Sequence, residues 1–332
     1  MMETILRIMS CSFQTYKYTK DFSFAGLIAN LPLQFSAGMK NPLPSLLLAT
    51  LFLLSQGVRA QVPVVKPDRS GSTKIAPAYF GPNAFPVPEM SDGRPRRGVY
   101  AELAGDIYRG RLADGQDITR DLFARVSFPL WTPRATLELW LPVTEAWDFS
   151  PAVASARRLA EQRYRGHDLG DVYVCTSLQL LEGRDNAWRP DILARAVLKT
   201  ASGGNFGEAR YYDCPGYFFD LTVAEGFRFD GFVHGFRLAL SAGFLCWQTD
   251  NGRQNDALMA GALASLETDW FTFGTELGGY FGWENDGDRP VRTRLRLDVH
   301  PWEASVHPFV QCGVGLADYP FTQIRAGVAW SL

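Results

Sequence analysis

The chain has few of the residues and motifs on which enzymes and metalloproteins depend. Its 332 residues include four histidines and five cysteines, and the cysteines are widely spaced, with no CxxC pair. There is no GxSxG, HExxH or phosphate-binding glycine loop, and no Cys/His cluster with zinc spacing. His234 and Ser241 lie seven residues apart, so on one strand they would face opposite sides and could not form a dyad. We therefore expect no enzymatic activity, no cofactor and no metal.

A basic excess and a long apolar run are also missing. The net charge is −2, which does not indicate nucleic-acid binding. The apolar run Leu46–Leu54 is too short for a membrane-spanning helix, which needs about 20 residues. These absences exclude a helical membrane protein and a nucleic-acid-binding module.

Residues 39–60 have the pattern of a secretory signal peptide. Lys40 precedes the apolar run, and small or apolar residues two positions apart, Val58 and Ala60, come before Gln61. This order of a basic, an apolar and a small-residue region predicts export with cleavage between Ala60 and Gln61. For residues 1–38 we expect an upstream extension from a start codon placed too early; the alternative is an unusually long leader.

From residue 97 onward the chain alternates between apolar and polar residues in separate segments. In Val291–Val299 the apolar residues occupy one set of alternate positions, and Arg292, Arg294, Arg296 and Asp298 occupy the other. A strand separates these sets onto two faces, whereas a helix would mix them. We predict strands over 97–110, 117–130, 135–147, 170–181, 190–200, 217–228, 232–248, 255–267, 270–284, 291–299, 305–314 and 321–332.

The connections between these segments alternate in length. Residues 131–134, 229–231 and 268–269 form very short turns, whereas 148–169 and 201–216 are long and fall on the opposite side. Short periplasmic turns and long external loops are typical of outer-membrane barrels. We therefore predict an all-β fold: an antiparallel up-and-down transmembrane β-barrel of about 12 strands over residues 97–332. A soluble β-sandwich is the alternative.

The last residues of the chain and its tryptophans agree with this prediction. Arg325, Gly327, Trp330 and Leu332 resemble the C-terminal signal by which Gram-negative cells recognise outer-membrane barrels for assembly. The resemblance implies an outer-membrane location, with the barrel-assembly machinery, membrane lipid and lipopolysaccharide as partners. Eight tryptophans lie at or near segment ends, where a membrane interface favours them: Trp131, Trp147, Trp188, Trp247, Trp270, Trp283, Trp302 and Trp330.

The polar faces of the predicted strands would line the interior of the barrel. The candidate lumen-lining residues are Arg292, Arg294, Arg296, Asp298, Glu138, Arg195, Lys199 and Glu276. Two interpretations remain open. Opposite charges pair into a partly filled lumen with a structural role, or the three arginines of 291–299 form an anion-attracting strip in a selective pore. Pairing is the more common outcome for any one of these residues.

Residues 61–96 are rich in proline, which excludes a central strand and predicts an extended segment. We expect a periplasmic arm leading into the first strand. The alternative is a plug folded into the barrel, anchored by Tyr79, Phe80 and Phe85.

Two resemblances narrow the function. The strand–turn–strand pattern of residues 170–203 is similar to the barrel family associated with operons for aromatic degradation (the phenol meta-pathway), and residues 76–83 resemble outer-membrane proteins of Bacteroidetes. The first resemblance implies a barrel of about twelve strands for the uptake of small or hydrophobic molecules. We expect a channel or transporter for a small solute; the alternative is a non-conducting structural or partner-binding barrel.

Overall fold

A computed structural model of the protein describes residues 77–157, 164–204, 215–248, 254–283, 285, 287–300 and 305–331. The expected upstream extension and signal peptide lie outside these residues. So do residues 61–76, Trp302 and Leu332. Among the described residues, no helix has the length and hydropathy needed to cross a bilayer.

The described chain is built from antiparallel strands in sequence order. The strands are β1 (Tyr100–Gly110), β2 (Asp117–Pro129), β3 (Ala135–Phe149), β4 (Arg165–Asp168), β5 (Tyr173–Leu181), β6 (Asp191–Lys199), β7 (Gly216–Arg228), β8 (Val233–Gln248), β9 (Gln254–Thr268), β10 (Phe271–Gly282), β11 (Val291–Val299), β12 (Val306–Ala317) and β13 (Phe321–Ser331). A single 3-10 turn, Pro77–Tyr79, and one short helix, α1 (Pro151–Ala156), complete the described elements.

The sheet closes on itself. The last strand, β13, pairs with β1 along its full length, from Tyr100 opposite Ser331 to Gly110 opposite Phe321. Each other neighbour in the ring is paired in sequence order, except that both β4 and β5 pair with the edge of β3 that β2 leaves free: β5 with Ala135–Trp140 and β4 with Glu145–Asp148, nearer the loop end. The architecture is thus a closed antiparallel barrel of twelve strands in which the short β4 continues the β3 edge beyond β5, which confirms the predicted fold.

The alternation of the sequence becomes the two sides of the barrel wall. On β1, Glu102 and Asp106 are buried on the inner side, whereas Leu103 and Ile107 are exposed on the outer side. The other strands also expose large apolar side chains: Leu122, Phe219, Leu221, Val223, Leu238, Leu240, Leu258, Leu266, Leu277, Leu295, Val310, Leu316 and Ile324. Exposed apolar area of this extent marks a surface that contacts lipid or another apolar partner.

The two ends of the barrel differ. One end carries the short connections β2–β3, β7–β8 and β9–β10, and we call it the turn end; the other carries the β1–β2, β3–β5 and β6–β7 connections and is the loop end. Both the beginning of β1 and the end of β13 lie at the turn end.

Strand β3 differs from its prediction because it contains a bulge. The β2–β3 register shifts at Leu122/Phe123, where Thr144 lies opposite Leu122 and Pro142 lies opposite Phe123. The extra residue reverses the alternation beyond this point. Glu145 is therefore buried on the inner side, and Thr144, which plain alternation placed there, is not.

The β3–β5 connection holds more structure than expected. Strand β4 was not predicted, because its four residues lack apolar alternation. Helix α1 begins after Ser150, whose side chain accepts a hydrogen bond from the Val153 amide as an N-cap. Arg157, which follows α1, is buried and forms an ion pair with Asp117 at 2.5 Å.

Two tryptophans expected at the membrane interface lie inside the barrel instead. Trp147 is buried with α1, and Trp247 is buried in the main hydrophobic cluster. Trp131 and Trp188, in turn-end connections, are exposed. The interpretation was wrong for the first pair because position along a strand does not reveal which face a side chain occupies.

Among the described cysteines, Cys175, Cys246 and Cys312 are free thiols. Cys214 lies outside the described residues.

Residues 77–97 run through the interior of the barrel, and we call them the lumen segment. The Tyr319 hydroxyl, in the β12–β13 connection at the loop end, donates to the Pro82 carbonyl at 3.0 Å. The Thr136 hydroxyl, at the turn end of β3, donates to the Arg96 carbonyl at 3.2 Å. The segment therefore crosses the barrel from the loop end to the turn end before β1 begins. These contacts correspond to a plug inside the barrel and not to a periplasmic arm.

Candidate functional site: the charged interior of the barrel

The arginines of β11 point inward, and each has a different set of partners. Arg292 donates to the Gln323 side chain, and its guanidinium lies 5.2 Å from the centre of the Tyr319 ring. Arg294 forms an ion pair with Glu276 and donates to the Val87 carbonyl of the lumen segment at 2.5 Å. Both arginines are buried.

Arg296 completes this set near the turn end. It forms ion pairs with Asp298 at 2.9 Å and with Glu102 at 3.1 Å. The three arginines are therefore compensated by barrel acids, by a glutamine and by carbonyl groups. They form part of a network and not a strip facing an open channel.

Two further candidates belong to the same network. Arg195 pairs with Asp220 at 2.7 Å. Glu138 lies between two arginines, with Arg96 of the lumen segment at 3.5 Å and Arg125 at 3.7 Å. Both candidates thus contact the lumen segment: Glu138 at Arg96, and Arg195 at the Glu89 carbonyl.

Lys199 lies apart from the other candidates. It is fully buried at the loop end of β6 and forms an ion pair with Asp171, which is fully buried as well. The other carboxylate oxygen of Asp171 accepts the amides of Ser202 and Gly203 at 3.0 and 2.7 Å. This arrangement fixes the ends of β5 and β6 and the loop between β6 and β7.

Glu89, an acid of the interior that joins several strands, was not among the candidates. Its carboxylate forms ion pairs with Arg125 of β2 at 2.5 Å and with Arg325 of β13 at 3.4 Å. Its backbone carbonyl accepts a hydrogen bond from Arg195 of β6 at 2.9 Å. One residue of the lumen segment thus joins strands on different sides of the barrel.

Its surroundings determine the charge of Glu89. The carboxylate forms ion pairs with Arg125 and Arg325, and these cations favour its charged form. The carboxylate is therefore ionised at neutral pH.

A signal for Glu89 was present in the sequence. It is the only charged residue between Pro77 and Met90, in a segment otherwise apolar or rich in proline. A single charge in such a segment needs a counter-charge if the segment is buried. The signal was missed because strand alternation does not extend into this region.

Backbone carbonyls of the lumen segment accept further hydrogen bonds from the barrel wall. The donors are the Tyr280 hydroxyl to Phe85 at 3.4 Å, Arg237 to Asp92 at 2.6 Å and the Gln179 amide to Gly93 at 3.2 Å. A proline-rich chain has few amide donors of its own, so its carbonyls are satisfied by side chains of the wall.

The segment turns at Gly93 before it reaches β1. Gly93 has φ +83°, and a Cβ atom placed there would lie 2.6 Å from the Ala224 Cβ. Only glycine adopts this conformation freely and leaves room for β7. Beyond the turn, Arg94 forms ion pairs with Asp185 and Asp191, each at 2.7 Å.

Two carboxylates of the wall bind the first half of the lumen segment. Asp121 of β2 lies directly opposite Glu145 of β3, and the Asn83 side-chain amide donates to each of them at 2.7 Å. One amide nitrogen has two hydrogens and can serve both acids. Asn83 thereby holds the lumen segment against two neighbouring strands.

The interior holds an apolar cluster near the loop end. Phe85 and Val87 of the lumen segment are buried in a cluster formed with inward-facing side chains of the wall: Tyr108, Tyr173, Val197, Phe218, Leu245, Trp247, Met259, Tyr280 and Phe321. The interior near the loop end therefore holds an aromatic cluster beside buried ion pairs such as Lys199–Asp171, whereas charged networks dominate towards the turn end.

The residues of the C-terminal signal occupy different environments. Arg325 is buried on the inner side and binds Asp106 at 2.8 Å. Gly327 lies so close to β1 that a Cβ atom there would be 2.4 Å from the Leu103 carbonyl. Trp330 is half-buried opposite Ala101. Arg325 thus has a structural role in the interior whatever its role in assembly.

His234 and Ser241 do not form a nucleophilic site. His234 pairs with Asp269 at 3.4 Å, whereas the Ser241 hydroxyl shares a hydrogen bond with Thr222 at 2.8 Å on the inner side. In the described part of the chain, no three His, Cys, Asp or Glu side chains are arranged to hold a metal ion.

Comparisons with known proteins agree at the level of the fold. No family model and no curated protein matches the sequence. An outer membrane channel from Pseudomonas putida F1 superposes with a TM-score of 0.54 at 15% identity, over 74% of this chain and 100% of that one. The NanC porin superposes with a TM-score of 0.44 at 11% identity, over 70% of this chain and 100% of that one. The chain has the fold of an outer-membrane β-barrel.

Proposed function

We propose that the protein is an outer-membrane channel for a small solute, closed at rest by its lumen segment. The observation that carries the proposal is the attachment of residues 77–97 to the inner wall on all sides of a barrel that closes by its own strand pairing. Displacing the segment would open a path between the two ends without breaking the wall.

The outer surface supports the membrane location. A belt of exposed apolar side chains surrounds the barrel, as in a barrel that faces lipid. We place the turn end in the periplasm and the loop end outside the cell, where Arg109 and Arg120, exposed near the loop ends of their strands, would contact lipopolysaccharide phosphates. The barrel-assembly machinery would recognise β13.

The class of solute is suggested by two features. The resemblance of residues 170–203, which form β5, β6 and their turn, to the aromatic-degradation barrel family favours a small or hydrophobic molecule. The aromatic lining at the loop end is compatible with such a molecule entering from outside.

Single-channel recording in a planar bilayer tests the proposal. We compare the wild type with Asn83→Ala/Arg94→Ala, which removes an attachment in each half of the lumen segment. Asn83 binds Asp121 and Glu145, and Arg94 binds Asp185 and Asp191. Each lost polar contact to a charged group weakens attachment by about 1.5–3 kcal/mol, so we expect more frequent and larger openings.

The matched control is Arg165→Ala, which removes an exposed pair with Asp148 and leaves the interior unchanged. It should conduct like the wild type. If correctly folded wild type and double variant both fail to conduct, the channel proposal is overturned.

A non-conducting barrel is the second candidate. The observation in its favour is the filled interior, in which acids and bases pair with one another and with the lumen segment. The same recordings discriminate the two, because a structural barrel stays closed in all three proteins.

A further inference from the structure

The lumen segment places a carboxylate on an arginine that has little else to bind. Arg125 is buried, with 8% of its side chain exposed, and its contact with Glu89 at 2.5 Å is much shorter than its contact with Glu138 at 3.7 Å. Among the described residues, its Nε atom has no hydrogen-bond partner. Arg325 and Arg294, beside it, also have acids of the barrel wall, Asp106 and Glu276. Arg125 is therefore the arginine that depends most on Glu89.

An apolar site lies in the same interior, where an earlier part of the lumen segment is buried. Phe85 and Val87 of the same segment are buried among aromatic side chains of the wall, including Tyr280 and Phe321. In an extended proline-rich chain, four residues span about 12 Å, so Phe85 and Glu89 are separated by about that length. The segment thus presents a ring and a carboxylate to two complementary parts of one interior surface.

The ring of strands closes without the contact between Glu89 and Arg125, since neighbouring strands are paired around the whole ring. Through this contact the segment occupies a site that is aromatic on one side and cationic on the other. Displacing the segment would leave that site open to a solute of the same chemistry.

We propose that Phe85–Glu89 is an internal mimic of the solute, and that the solute is a monocarboxylate with an apolar body. The carboxylate of the solute would bind Arg125 in place of Glu89, and its apolar part would replace Phe85 among the aromatic side chains. This assignment rests on the proposed channel function and adds the class of solute to it.

In the resting protein, Glu89 and a dissolved solute compete unequally for Arg125. A tethered group acts at an effective concentration in the millimolar range or above, so Glu89 outcompetes a dilute solute. Removing only the charge of Glu89 should therefore reveal the affinity of the site.

The test measures binding and not conductance. Glu89→Gln keeps the size of the side chain and removes its charge. The probe is 8-phenyloctanoate, whose ring and carboxylate are far enough apart to reach both parts of the site, in isothermal titration calorimetry of the folded protein in detergent. We expect Glu89→Gln to bind 8-phenyloctanoate at least about tenfold more tightly than the wild type does. Its neutral analogue, 8-phenyloctan-1-ol, should gain nothing, and acetate should bind more weakly than 8-phenyloctanoate.

Two variants control the result. Glu267→Gln makes the same change in an exposed pair with Arg228 and should bind like the wild type. Adding Arg125→Gln to Glu89→Gln should abolish the gain, because the carboxylate then loses its partner. A loosened segment without a carboxylate site would raise binding of the alcohol and the acid equally.

Equal affinity of Glu89→Gln and wild type for 8-phenyloctanoate overturns the inference, and so does an equal gain for the alcohol. A charge-dependent gain in a protein that never conducts supports the site and contradicts the channel. Conductance without that gain supports the channel and overturns the site.

Discussion

A single carboxylate, that of Glu89, joins the lumen segment to arginines on β2 and β13. These contacts are charge-assisted, and both arginines are buried, although 32% of the Glu89 side chain is exposed. Removing Glu89 therefore affects the position of the segment more than removing an exposed charge would.

Glu89 also makes the attachment depend on pH. Its ion pairs with Arg125 and Arg325 need an ionised carboxylate, so protonation at low pH removes them. Attachment is therefore fully present above the ordinary carboxyl pKa of about 4.3 and is lost at lower pH. We expect conductance to be constant between about pH 8 and pH 5 and to rise below about pH 4.

Bilayer recordings at stepped pH check this expectation, with Glu89→Gln as the control. That variant lacks the titrating group and should show no such rise. An identical acid response in both proteins would assign the effect to other carboxylates and contradict the role of Glu89.

Among the structural elements, β5 and β6 owe their loop-end geometry to a buried ion pair. Lys199 binds Asp171, and Asp171 also accepts two backbone amides. Lys199→Met would leave the buried carboxylate without this cation, which costs about 3–5 kcal/mol of unfolding free energy.

Urea unfolding of vesicle-inserted protein, followed by tryptophan fluorescence, measures this loss. The double variant Lys199→Met/Asp171→Asn should be less destabilised than the single one, because no unpaired charge remains. Arg165→Ala, in an exposed pair, should change stability by less than about 1 kcal/mol. If Lys199→Met unfolds like the wild type, the proposed role of the pair is wrong.

The strands themselves could be predicted from the sequence because alternation is a local property. The segment 291–299 coincides with β11, and 117–130 differs from β2 by one residue at its end. The bulge in β3 could not be predicted, since one extra residue leaves the composition unchanged while it moves Glu145 inward. Strand β4 was missed for a related reason: four polar residues form a strand only because β3 extends far enough to pair with them.

The candidate site was only partly predictable. Inward-facing charges followed from the alternation, so Arg294 and Glu276 could be identified. Their partners could not, because ion pairs between distant strands and the lumen segment depend on closure of the barrel. Glu89 was missed because it belongs to a segment with no periodic pattern at all.

At the scale of the whole molecule, the wall and its contents are separable. The wall is a closed ring of twelve strands with an apolar outer belt. Its contents are a network of charges and the lumen segment, attached by side chains of the wall and not by strand pairing. A wall closed by its own strand pairing and a segment held by side-chain contacts, polar and apolar, fit the proposed gated channel.

In the proposed channel, the contact between Glu89 and Arg125 keeps the lumen closed. Exchanging the two charges and recording single channels tests this contact. Glu89→Arg replaces attraction by repulsion among the interior arginines, so it should conduct far more than the wild type. Glu89→Arg/Arg125→Glu restores one ion pair of opposite charge and should return conductance towards the wild-type level. If Glu89→Arg folds correctly and conducts no more than the wild type, the lumen segment does not close the channel.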